Sequence, residues 1–224
     1  MPAVRLSATP QAEETFDVIR VDGDQPLFPR HVGLAVNSQP NVAAGTPVPL
    51  LHMQPPLAYS PNGNTANTWG SATLQADEIQ KIKLFADDLI GEYQVEGTNQ
   101  YKQYALMPRD PNEQSADGTT VTRQYSCATF VVAAYQFARI HFLKSRTSDL
   151  PPASLATLKS AYPDCATLLD RPRFRSEFLN LKDGGPWPVL LPGYVLNALN
   201  RPSEMIRSQP AYQAVPGDEY FPSA

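Results

Sequence analysis

Nothing in this chain of 224 residues approaches the ~18 consecutive apolar residues that carry a helix across a bilayer. No integral membrane segment is therefore expected. The opening MPAVRLSATPQAEETF lacks the apolar core of a signal peptide. That makes the cytoplasm the default location, with leaderless export as the alternative. Cysteine is scarce: Cys127 and Cys165 are the whole supply. Two thiols make no disulfide framework, and both are expected to be reduced. There is no CxxC, no HExxH, no acidic run and no glycine-rich phosphate loop, so neither a metal nor a cofactor is expected. Basic residues are outnumbered, 18 Lys and Arg against 22 Asp and Glu, and form no cluster. A net charge of −4 with that distribution excludes general nucleic-acid binding. No internal repeat is visible.

What is present is a hydrophobic fraction of 42%, enough for one core, with 23 prolines against 12 glycines. That balance predicts stiffened loops and extended ends. Residues 1–14 are polar and read as a flexible N-terminal extension. Residues 15–21 (TFDVIRV) and 30–36 (RHVGLAV) read as strands, the second with Val32, Leu34 and Val36 on one face and His31, Gly33 and Ala35 on the other. Residues 46–53 (TPVPLLHM) read as the antiparallel return strand, with Pro47 and Pro49 confining their end to an edge. The Asn-, Pro- and Ser-rich segment 54–73 reads as a long loop. Residues 76–91 predict a helix with Ile79, Ile82, Ala86 and Leu89/Ile90 on its apolar stripe, and 93–97 and 100–107 predict short strands. From Ser126 to Leu143 the only formally charged residue is Arg139, which predicts a long, central, mostly buried helix. Peripheral helices follow at 154–162 and 173–182, a last helix opens at Pro192, and residues 201–224 read as an extended tail. The expected architecture is α+β, a single domain over 15–200.

Chemistry narrows to few residues. Cys127 opens the central helix, where free backbone N–H groups favour a thiolate and a developing oxyanion. His31 stands mid-strand on a face of small residues, which leaves room for the helix that carries Cys127. His52 lies on the partner strand, at about the 5 Å spacing of cross-strand neighbours. The three make a nucleophile, a base and an orienting group. Each also has a plain structural use: a buried Cys packs as a small hydrophobe, and a strand His is often simply a satisfied core residue. His141, about four turns along the helix from Cys127, reads as structural at ~1.5 Å per residue. Cys165, with no His near it in sequence, does too.

The run FDVIRV … RHVGLAV … VPLLHMQPP … YSCATFV resembles the circularly permuted papain-like thiol enzymes. That group takes in lecithin:retinol acyltransferase, its phospholipid-acyltransferase relatives, and bacterial permuted relatives of the NlpC-type cell-wall peptidases. Their order is His, His, Cys, as here, whereas ordinary papain-like enzymes place Cys first. The resemblance spans residues 15–140. It implies an antiparallel sheet packed on a central helix, with Cys127 as nucleophile, His31 as base and His52 orienting His31. Ser126 stands where the group has Asn, and Ala128 and Thr129 stand where it has Glu and His. These departures bear on the substrate.

The resemblance therefore implies a cysteine hydrolase, an amidase or peptidase working through a thioester on Cys127, with a cell-wall peptide as the leading substrate class. Tyr59 and Trp69, in the segment read as a loop, are the expected cleft wall. Thiol acyl transfer or phospholipase action on a lipid ester is the second reading, and a catalytically silent papain-like module that binds a protein partner is the third. The backbone N–H of Cys127 supplies one oxyanion donor; the sequence does not reveal the other.

Overall fold

Of the strands expected at 15–21, 30–36 and 46–53, residues 18–21, 31–35 and 47–53 fold as antiparallel neighbours. The structure, a computed structural model, describes residues 18–21, 31–35, 47–53, 57–65, 68–70, 74–95, 104–107, 123–182, 184–201 and 203–220. Five strands, β1 (Val18–Val21), β2 (His31–Ala35), β3 (Pro47–Met53), β4 (Leu57–Thr65) and β5 (Thr68–Gly70), form one antiparallel sheet in the order β4-β3-β2-β1-β5. The register pairs Leu34 with Leu51 and Ala35 with Leu50. One step further, it sets Gly33 opposite His52. A Cβ on Gly33 would lie 2.8 Å from Leu50 Cδ1 and 3.0 Å from His52 Cβ. The space above the small-residue face is thus filled by Leu50 and His52. The buried cluster that contains the central helix takes in Val32 and Leu34, so the expectation that the helix needs the small-residue face is corrected.

Two prolines in β3 are tolerated for a local reason. The strand is internal, but its pairing with β2 is confined to Leu50 and Leu51. The end bearing Pro47 and Pro49 pairs with β4 alone among the described residues, and the register shifts between Val48 and Leu50. Such an irregularity accommodates a residue with no N–H to give. The segment read as a long loop is largely strand: β4 and β5 occupy it. Their Asn, Pro and Ser residues carry no alternating apolar signal, and the pairing is dictated by β3 and β1.

Helix α1 (Ala76–Val95) runs four residues beyond Gly91 and takes up residues 93–95 of the strand expected at 93–97, whose last two residues lie outside the described set. Its stripe is as expected, with Ile82, Ala86 and Leu89 buried and Phe85 added. The strand expected at 100–107 is not formed at 104–107, where the chain is irregular and held by Leu106 N–H donating to Leu179 O at 3.1 Å; residues 100–103 lie outside the described set. Helix α2 (Cys127–Phe137) is central and apolar, but shorter than expected. Arg139 takes a left-handed φ of 65°, Ile140 N–H reaches Tyr135 O at 2.9 Å and Arg139 N–H reaches Gln136 O at 2.8 Å. This is a Schellman ending, built here on Arg in the position glycine usually holds. His141 therefore lies past the helix, exposed.

Around α2 lie α3 (Leu155–Ala161), α4 (Ala166–Leu169), α5 (Pro172–Phe178), α6 (Pro192–Leu199) and α7 (Ser203–Ser208). The core runs through Phe130, Val131, Tyr135, Val189, Leu190, Leu191 and Leu196, all fully buried. The apolar stretch 187–199 is thus a core element. The segment expected as an extended tail packs on the body through residue 220. Asn197 Nδ2 donates to Asp218 O at 2.9 Å and to Tyr220 O at 3.0 Å, and Gly193 permits the approach because a Cβ there would collide with the Asp218 and Glu219 carbonyls. No helix among the described residues is long and apolar enough to cross a membrane.

Candidate functional site

Cys127 is the first residue of α2, and its position is fixed from both sides of the chain. Ser126 caps the helix: its Oγ accepts from Thr129 N–H at 3.2 Å, and Thr129 Oγ1 accepts from Ser126 N–H at 2.6 Å. This is a reciprocal capping box. Just upstream, Arg123 is clamped on α1, with Nε donating to Glu92 Oε2 at 2.6 Å and Nη2 to Asp88 Oδ2 at 2.7 Å. The residues that depart from the resemblance, Ser126 and Thr129, thus close the helix start, with Cys127 as its first residue.

His31 begins β2 and His52 stands near the end of β3. Their rings meet edge to face at 81°, with His31 Nε2 2.8 Å from His52 Nδ1. His52 is buried, at 2% exposure, whereas His31 is partly accessible. Burial, and second the neighbouring His52, push the His31 imidazolium down to about 3; burial lowers His52 as well. Both rings are therefore neutral near pH 7.

The thiol behaves differently from the expectation that a helix start yields a thiolate. Burial pushes Cys127 up to about 11, although the backbone N–H groups of Val32, Ala128 and Cys127 itself pull the other way. At 1% exposure, desolvation wins over the helix terminus. The resting pair is a neutral thiol and a neutral imidazole, with no hydrogen bond between Cys127 and His31 among the described residues.

His31 and Cys127 are both among the residues that line one cavity of about 370 Å³. Tyr104, Tyr162 and Cys165 line it too, and most of the remaining wall is apolar, including Met53, Leu106, Leu168, Phe174 and Leu179. Asp164 is the one carboxylate in that lining, and no Lys or Arg enters it among the described residues. Cys165, read as structural because no His lies near it in sequence, thus shares a cavity with Cys127; the two thiols are free. Helix α4 and the turn before it bring it there, a placement no local pattern announces. Tyr59 is 51% exposed and absent from the lining, and the side chain of Trp69 lies outside the described residues. Among the described residues no cluster of three or more His, Cys, Asp or Glu could hold a metal ion.

No protein-family model matches the chain, and no curated protein and no solved structure is significantly similar to it.

Proposed function

We propose that the chain is a cysteine hydrolase of the permuted papain-like type, moving an acyl group through a thioester on Cys127. One observation carries this reading: His31, bonded to His52 at 2.8 Å, lines the same cavity as a cysteine at a helix start. His31 Nε2 is committed to His52, so Nδ1 is the nitrogen that takes the thiol proton. That requires the tautomer in which His31 Nε2–H donates to His52 Nδ1. As Sγ attacks the carbonyl carbon, the proton passes to Nδ1 and the carbonyl π pair moves to oxygen. The leaving group collects the proton as the C–N or C–O bond breaks. Water, activated by the same His31, then releases the acid and restores the thiol. Because both groups rest neutral, the proton moves in the attack itself, without a standing ion pair.

An amide or peptide was the first substrate class implied by the resemblance. The apolar lining supports the second reading more directly: an ester or thioester with an aliphatic acyl chain fills such a wall without stranding polar groups. A matched panel of p-nitrophenyl esters and p-nitroanilides, with acyl chains from two to twelve carbons, separates the two. Turnover should vanish in Cys127→Ala and His31→Ala and should favour esters of medium chain. Turnover by Cys127→Ala equal to that of the unaltered chain would end the thioester account. Preference for peptidyl anilides would restore the peptidase reading.

A further inference from the structure

The cavity holds a second polar group that the proposed chemistry has not used. Tyr104 comes from the irregular segment pinned to Leu179, and Tyr162 caps the end of α3, where its N–H donates to Leu158 O at 2.9 Å and Pro163 follows. Both line the cavity beside Cys127. The Tyr162 hydroxyl is sealed from solvent and makes no well-formed hydrogen bond. It lies against the Tyr104 hydroxyl, and both phenols are near enough to Cys127 for a negative charge on its sulfur to disfavour their ionisation. A buried hydroxyl with no proper partner is uncommon in a folded protein and calls for an explanation. Nothing in the packing needs it, since Phe would fill the same volume.

We propose that the paired hydroxyls of Tyr104 and Tyr162 are the second arm of the oxyanion hole, facing the backbone N–H of Cys127. This inference rests on Cys127 being the nucleophile. When Sγ bonds to the carbonyl carbon, the electron pair released to oxygen meets a phenolic O–H. The phenol donates a hydrogen bond and keeps its proton, while the thiol proton goes to His31. Burial holds both phenols well above their ordinary range, so they remain donors across the working pH. Among the described residues the Tyr162 hydroxyl meets only that of Tyr104, and the acyl oxygen supplies the missing acceptor.

Tyr104→Phe and Tyr162→Phe test this, because each removes one oxygen and keeps the ring. With a p-nitrophenyl ester that the unaltered chain hydrolyses, each variant should lose about 10²-fold in kcat with KM little changed, as for loss of one oxyanion donor. The variants should also bind an alkyl trifluoromethyl ketone at least tenfold more weakly, since its adduct on Cys127 carries the same oxyanion. Alkylation of Cys127 by iodoacetamide forms no oxyanion and should be unchanged. Full kcat in both variants overturns the inference and leaves the thioester reading standing. An equal loss in alkylation rate also overturns it, by showing a packing role. If the unaltered chain forms no ketone adduct and Cys127→Ala hydrolyses equally well, the thioester reading falls, and the inference with it.

Discussion

Burial of Cys127 makes a prediction that runs against the habits of helix-start cysteines. With its thiol pushed up from 9.0 to about 11, the thiolate fraction at pH 7 falls by about a hundredfold, to roughly one molecule in ten thousand. Iodoacetamide reacts with the thiolate, so Cys127 labelling in the folded chain should be slow at pH 7. It should then climb about tenfold per pH unit up to about pH 10. Cys165 is less buried and should label faster. Following both peptides by mass spectrometry from pH 6 to 11 measures this directly. In urea the two should converge on ordinary thiol behaviour. His31→Ala should leave the resting rate of Cys127 within a few fold, because no ion pair exists to lose. A Cys127 rate that levels off below pH 8 would refute the reasoning, by revealing a thiolate already stabilised by His31. The same shift has a stability consequence. Because the folded value lies above the unfolded one, its contribution is complete below pH 9. It is lost as pH rises from 9 through 11, on the order of 2 kcal/mol.

The other perturbations follow from single contacts. Gly33→Ala should cost about 1–3 kcal/mol in urea unfolding and also depress turnover, because the new Cβ drives His52 from its place against His31; unchanged stability and activity would contradict the register. His31 has a folded value far below its unfolded one, so its contribution is complete above about pH 6.5 and is lost as pH falls toward 3; thermal melts should show His31→Gln losing less stability over that range than the unaltered chain. Arg139→Gly should stabilise by about 0.5–1 kcal/mol, since glycine takes the left-handed conformation without steric cost; calorimetry showing destabilisation would argue against the Schellman ending.

Those contacts also show what can be read from a chain and what cannot. Periodicity revealed β1, β2, β3, α1 and the start of α2, because each buries a face and burial selects residue type. Pro192, the first residue of α6, marked its first turn. The pairing of His31 with His52 followed from strand order and alternation. Segment 54–73 concealed β4 and β5, whose pairing is supplied by neighbouring strands and leaves little trace in their own composition. Arg139 hid the end of α2, because a charged residue in a left-handed turn carries no signature. The state of the Cys127 thiol depends on how deeply the assembled core covers it, which a helix-start pattern does not encode. Tyr104, Tyr162 and Cys165 meet around one cavity only through tertiary packing.

The central claim is a covalent acyl-enzyme on Cys127 formed with the help of His31. Rapid mixing with p-nitrophenyl octanoate, acid quench and intact mass spectrometry would test it in one experiment. The account predicts a single octanoyl adduct, mapped to Cys127, at near-stoichiometric yield in the unaltered chain, at least ~10²-fold slower in His31→Ala and absent in Cys127→Ala. An adduct spread over lysines, or formed at the same rate in all three proteins, would contradict it.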